Sequence, residues 1–163
     1  VDATHVFVVG YSNGAVMAYR FGCDHADRVA ALASFAGTTF DVEADCHASR
    51  PLSVLEIHGD MDFNVNYLGM TGTPDVAYPG AQATVERWAT RAGCDLSMAV
   101  DDPTTIDLDT DVTGAETTVR RYEAGCATGI DAELWTMAGS NHNFTPADDF
   151  MTRVDAWLLP HAQ

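Results

Sequence analysis

The stretch Val6-Phe7-Val8-Val9-Gly10-Tyr11-Ser12-Asn13-Gly14-Ala15-Val16-Met17-Ala18 decides the reading of this chain. An apolar run of strand type meets G-x-S-x-G and passes directly into a segment with apolar residues at helical spacing. Strand, tight turn and helix in that order place a serine at a sharp bend, with its hydroxyl exposed and glycines on both sides letting strand and helix pass close together. Ser12 is the candidate nucleophile. The backbone N–H of Asn13, directly after it, is a candidate oxyanion donor.

Outward from the turn, the alternation repeats. Residues 4–9 read as a buried strand and 13–22 as a helix. Val29–Ala36 is a continuous apolar run ended by Gly37, which suits a strand covered on both faces, with a helix as the rival reading. Pro51–Gly59 gives a third strand, and the segment opened by Pro79-Gly80 reads as a crossover helix to Gly93. Residues 101–118, rich in Asp and Thr, read as an exposed loop or hairpin tip. Thr118–Tyr122 and Ala132–Met137 follow as strands. Residues 146–158 form a last helix, with Pro146 at an early position. This pattern predicts a three-layer α/β fold with a mostly parallel sheet, as one domain over 1–163.

Composition narrows the partners. The 163 residues are 47% hydrophobic, enough for one core. The net charge of −16 comes from 24 acidic residues against eight basic ones, all Arg. Such a surface disfavours nucleic acid and anionic membranes. A saline habitat and selection for solubility explain it equally well. No apolar run reaches transmembrane length and no basic-then-apolar leader opens the sequence. Four cysteines, Cys23, Cys46, Cys94 and Cys126, form no C-x-x-C motif. Two disulfides are their simplest use, with three connectivities open, and imply an oxidising compartment; four buried free thiols are the alternative.

In a parallel α/β sheet, reactive groups gather at the carboxyl ends of strands. Three polar clusters fall there: Ser12, then His58-Gly59-Asp60-Met61-Asp62, then Gly139-Ser140-Asn141-His142-Asn143. A serine hydroxyl needs a base, and the base needs an orienting acid. We assign Ser12 as nucleophile, His142 as base and Asp62 as orienting acid. Spacing alone leaves Asp60 open as the acid and His58 as the base; His58, in a strand-ending His-Gly, is read as positioning the loop. The blander alternatives are a turn serine and solvated loop carboxylates. His161 is placed in a loose tail. No helix carries a ligand pair of the His/Asp cluster and no Cys joins it, so neither metal nor cofactor is expected. Asp107, Asp109 and Asp111 alternate as calcium ligands do, but Val112 stands where the loop Gly belongs, and a solvated acidic loop is expected.

Together, Gly10-Tyr11-Ser12-Asn13-Gly14-Ala15-Val16-Met17, His58–Tyr67 and Gly139–Phe144 resemble the secreted polyhydroxybutyrate depolymerase and feruloyl esterase group of the α/β-hydrolases, across nearly the whole chain. In that group the elbow reads close to G-x-S-N-G-x-x-M, the acid lies in H-G-x-x-D-x-x-V-P-Y and the histidine in G-x-G-H-x-W-P. The resemblance puts the acid on Asp62 and implies the disulfides Cys23–Cys46 and Cys94–Cys126 and a secreted or periplasmic location. Tyr11 and Phe144 are the substrate-binding candidates it suggests, and its substrates are short acyl, hydroxyalkanoate or hydroxycinnamate esters, small or polymeric. Asn66 replaces the usual Pro, Ser140 and Asn141 the Gly pair, and Phe144 the usual Trp.

That fold has several strands before the elbow and a second oxyanion donor on one of their loops. The expectation here is a truncated, four-stranded, mostly parallel sheet lacking those strands, with the elbow strand at an edge and weak esterase activity. An apolar edge strand invites association. It predicts a homodimer through Val6–Val9, or a fragment of a longer polypeptide. The alternative function is a catalytically silent half-domain acting as an interaction module.

Overall fold

The computed structural model describes residues 2–72 and 76–162. Its strands are β1 (Phe7–Tyr11), β2 (Ala31–Phe35), β3 (Ser53–Gly59), β4 (Gly69–Met70), β5 (Tyr78–Pro79), β6 (Val100–Asp101), β7 (Thr117–Tyr122) and β8 (Ala132–Met137). The helices are α1 (Asn13–Asp24), α2 (Ala81–Arg91) and α3 (Phe150–Leu158). The main sheet has six strands in the order β1-β2-β3-β8-β7-β6, with β4 and β5 forming a separate antiparallel pair. The first four are parallel, and β7 and β6 add on antiparallel. The sheet is therefore wider than the four strands expected, because the β7–β8 hairpin and β6 extend it beyond the His142-bearing strand.

Strand periodicity sets the layers. Ala31, Ala33 and Phe35 of β2, Leu55 and Ile57 of β3, and Trp135 and Met137 of β8 point to one face, where Phe150, Val154 and Leu158 of α3 cover them. The residues between them point the other way. Leu32 and Val54 meet Tyr19 of α1 and Trp88 of α2, and Ala132 and Leu134 meet Ala81, Val85 and Ala89 of α2. Both faces of β2 and β3 are thus buried, which is why apolar residues fall on both faces of each strand rather than alternating, with Ser34, Ser53, Glu56 and His58 buried among them.

Two disulfides tie loops to this frame, Cys23–Cys46 and Cys94–Cys126. The first fastens the end of α1 to the loop before β3, and the second fastens the end of α2 to the β7–β8 turn.

Several expectations are corrected. The first strand begins at Phe7 and runs through Gly10 and Tyr11 to the serine itself. The last helix begins at Phe150, not 146; Pro146 instead bridges Asp109 in extended backbone. The segment 101–118 is not simply a solvated tip, since Leu108 and Asp109 are buried. Nor is His161 in a loose tail: it is buried, with Nε2 2.8 Å from Asp131 Oδ1. Strand β1 does lie at the sheet edge, with Val6, Val9 and Tyr11 exposed. Among the described residues, no helix is long and apolar enough to cross a membrane.

Candidate active site at the strand ends

The turn from β1 to α1 forces Ser12 to φ 55°, ψ −123°. A non-glycine residue at positive φ costs on the order of 1–3 kcal/mol and persists only where its surroundings impose it. Here they do. The Ser12 N–H donates to Phe35 O at 2.8 Å, and Ser12 O accepts from the N–H groups of Ala15 and Val16, so β2 and α1 hold the residue from opposite sides. Gly10 makes the sharp turn possible, since a Cβ there would lie 2.2 Å from Gly14 O and 2.6 Å from Ala15 N. Gly14 has no such role: a Cβ on it would meet nothing within 4 Å. Of the two elbow glycines, only the first is required by close approach.

The acid arrives on the loop after β3, where the chain turns at Gly59 against the β8–α3 loop. A Cβ on Gly59 would lie 2.3 Å from Ser140 O. That contact brings the acid and histidine loops together, and Met61 N–H donates to the same Ser140 O at 3.0 Å. Asp62 Oδ1 accepts from the N–H groups of Asn64 and Val65 at 2.8 and 3.0 Å, which fixes its carboxylate plane.

His142 completes the line. Its Nδ1 lies 2.7 Å from Asp62 Oδ2 and its Nε2 lies 2.9 Å from Ser12 Oγ. Asp60, the other carboxylate of the acid loop, accepts instead from the Gly139 N–H at 2.7 Å. His58 Nε2 also lies 3.2 Å from Asp62 Oδ2, the same oxygen that His142 meets, but His58 makes no contact with Ser12. The structure thus brings Ser12, Asp62 and His142 into line, with Asp60 turned to Gly139 and His58 against Asp62 but not against Ser12.

Electrostatics fit this arrangement. Burial pushes the Asp62 carboxyl up, but hydrogen bonds from His58, His142 and the Val65 and Asn64 N–H groups outweigh it and hold the group below the ordinary carboxylate range. An ionised acid at Nδ1 keeps the proton there and leaves Nε2 as the acceptor facing Ser12 Oγ. The Asn13 N–H heads α1, where the first N–H groups of a helix have no intrahelical partner. The arrangement can deprotonate a serine hydroxyl as it attacks and place one N–H beside the developing oxyanion.

Tyr11 has two roles in the geometry. Its OH donates to His142 O at 2.9 Å and its ring lies 5.3 Å from the imidazole, so it backs the histidine. With Phe35, Phe144, Phe150 and Met151 it also lines an apolar pocket of about 490 Å³. Another pocket, of about 570 Å³, is lined by Val16, Thr38, Phe40, Val65 and Tyr78 among others.

Two functional-looking residues escaped the sequence reading. Asp109, assigned to a solvated loop, is buried and grips the histidine loop at both ends: it accepts from Ser140 Oγ at 2.5 Å and from the Thr145 N–H at 3.1 Å. Glu56, fully buried in β3, holds His58 Nδ1 at 3.0 Å. The available signal for Glu56 is a carboxylate inside the mainly apolar run Leu52–Ile57. Asp109 had none, because its partners are far off in sequence.

Comparison with known proteins agrees with this architecture. No family model matches the chain. Feruloyl esterase B of Piromyces equi is 28% identical over 153 residues, which is 87% of this chain and 25% of that protein. NocK of Nocardia uniformis subsp. tsuyamanensis, which bears a provisional esterase name, is 36% identical over 74 residues, 45% of this chain and 22% of NocK. Among solved structures, esterase PE8 superposes with a TM-score of 0.56 at 22% identity, covering 98% of this chain and 51% of PE8. Acetyl xylan esterase from Aspergillus awamori superposes with a TM-score of 0.63 at 16% identity, covering 98% and 61% respectively. The fold is that of α/β-hydrolase-type esterases, and the chain is similar to them in sequence as well. It spans about a quarter of the length of the curated relatives it matches.

Proposed function

We propose that this chain carries the reacting site of a carboxylic ester hydrolase that works through an acyl-enzyme on Ser12. One observation supports this above all: an unbroken hydrogen-bonded path from Asp62 through His142 to a serine held at φ 55°. Ser12 Oγ attacks the ester carbonyl while His142 Nε2 takes its proton, and the Asn13 N–H receives the oxyanion. As the tetrahedral species collapses, the same proton passes to the leaving alcohol. Water, deprotonated by His142, then releases the acid and restores Ser12. An oxyanion donor such as the Asn13 N–H is worth about a hundredfold or more in rate.

The pocket lined by Tyr11, Phe35, Phe144 and Phe150 suits an apolar or aromatic acyl group. This supports short acyl, hydroxyalkanoate or hydroxycinnamate esters as the substrate class, with Tyr11 and Phe144 as binding residues. The two disulfides support export to an oxidising compartment. The exposed β1 edge supports a homodimer paired through that strand; a stable monomer by light scattering, without binding of an apolar dye, overturns that part.

The test is hydrolysis of a chromogenic short-chain ester by the wild type, Ser12→Ala and His142→Ala. Both variants are expected to fall to background. Equal rates in all three leave a folded module without this chemistry.

A further inference from the structure

Behind the Ser12–His142–Asp62 line lies a second, wholly buried set of charges. His58 Nε2 is 3.2 Å from Asp62 Oδ2, the oxygen that also holds His142 Nδ1, and 2.9 Å from Val65 O. His58 Nδ1 is 3.0 Å from Glu56 Oε1. Glu56 in turn accepts from Tyr19 OH at 2.7 Å and from the Gly37 N–H at 3.2 Å. Glu56, His58 and Asp62 are 0%, 1% and 2% exposed, so none is screened by water.

The partners constrain the protons. A peptide carbonyl only accepts, so His58 Nε2 must donate to Val65 O. A peptide N–H only donates, and with Tyr19 OH as the other donor both Glu56 oxygens are occupied as acceptors. An ionised Glu56 then requires an N–H on His58 Nδ1 as well. An imidazole that donates from both nitrogens is an imidazolium.

We propose that Glu56 and His58 form a buried ion pair that positions Asp62 and keeps it ionised beneath His142, which makes His58 a positioning residue for the serine chemistry. The inference rests on the reading of Ser12, His142 and Asp62 as a working triad. Its physical content is charge balance. With the imidazolium in place, Glu56, His58 and Asp62 together carry one negative charge; without it they carry two, and two buried carboxylates close together do not both stay ionised at neutral pH. The other titratable groups facing His58 are Tyr67, edge-on at 5.6 Å, with Tyr19 behind Glu56 and His142 beyond Asp62. Tyr67 is engaged by Thr136 and burial pushes its phenol up, so it does not supply the balancing charge. Burial pushes the His58 imidazole down, but the hydrogen bonds to Asp62 and Glu56 and the Glu56 charge outweigh it and lift it to about 10.

The experiment compares kcat/KM against pH for the wild type, His58→Gln and the double variant Glu56→Gln/His58→Gln. The glutamine amide retains a donor for Val65 O but carries no charge. His58→Gln is expected to move the acid limb up by about one pH unit or more, because either Asp62 or His142 then binds its proton more readily. At fixed pH the loss falls on kcat rather than KM. The double variant removes the surplus carboxylate and is expected to bring the limb back toward the wild type. A limb that does not move in folded His58→Gln overturns the proposal. Should that variant not fold, ¹⁵N NMR of histidine-labelled wild type decides: both ring nitrogens of His58 are expected to be protonated at pH 8, and a neutral ring overturns the proposal. The esterase reading fails separately, as a rate unchanged in Ser12→Ala, and the NMR measurement does not depend on turnover.

Discussion

Ser140 donates its hydroxyl to Asp109 at 2.5 Å, and through that bond a buried carboxylate from the acidic 101–118 segment reaches the loop that carries His142. The same carboxylate accepts from the Thr145 N–H, three residues beyond the histidine, and from its own loop at Asp111. His142 is therefore positioned from both sides by a residue that touches neither Ser12 nor Asp62.

Asp109→Ala leaves Ser140 Oγ and the Thr145 N–H without partners and loosens the His142 loop. Stability is expected to fall by about 2 to 4 kcal/mol, from two buried donors at roughly 1–3 kcal/mol each with partial relaxation. Misplacement of the base lowers kcat by on the order of a hundredfold, with KM nearly unchanged. Asp109→Asn, which keeps one oxygen acceptor, is expected to retain more of both. Urea denaturation and ester kinetics on the two variants measure this.

Asp62→Asn preserves shape and removes charge. The amide no longer holds the proton on His142 Nδ1, so the tautomer facing Ser12 is wrong, and kcat is expected to drop by about 10⁴. A fall of less than tenfold would contradict the role assigned to Asp62.

Stability depends on pH through His58. Its folded value lies near 10 against an ordinary 6.5, so the folded protein binds the extra proton more tightly than the unfolded chain between these limits. The contribution is complete below pH 6.5 and is lost as pH rises through about 10. Asp62 acts with the opposite sign: its lowered carboxyl adds stability above the ordinary value of 3.8 that is lost as pH falls below it. Chemical denaturation from pH 6 to 10 is expected to show falling stability, with the decline much reduced in His58→Gln.

The two elbow glycines are expected to behave differently. Gly10→Ala drives a methyl into the α1 backbone and should cost at least about 3 kcal/mol or prevent folding. Gly14→Ala meets open space in the first turn of α1 and should gain up to about 1 kcal/mol. Thermal melts of the pair decide between this and a symmetric requirement for both.

The loops closed by the disulfides have sequence separations of 23 and 32 residues. Chain-entropy reasoning assigns each about 3 to 4 kcal/mol. Replacing either pair by alanine should lower the denaturation midpoint accordingly, and reduction of the wild type should lower it further than either replacement.

What the sequence alone determined follows from local patterning. Val6–Val9 before G-x-S-x-G specified strand, turn and helix around Ser12; the largely apolar runs of β2 and β3 pointed to a parallel sheet covered on both faces; and the order of polar clusters at strand ends pointed to Ser12 and His142, leaving the acid between Asp60 and Asp62 until likeness to a known group favoured Asp62. The disulfide pairing came from likeness to a known group, not from spacing. Tertiary structure decided what local pattern does not encode. Only folding sets Asp62 against His142 while Asp60 turns to the Gly139 N–H, because the choice depends on how Gly59 packs on Ser140. Only folding buries Asp109 behind the histidine loop, or places Glu56 where Tyr19 and His58 meet it. An acidic residue reads the same in a sequence whether water or a buried donor satisfies it, and that difference is set by contacts between distant segments.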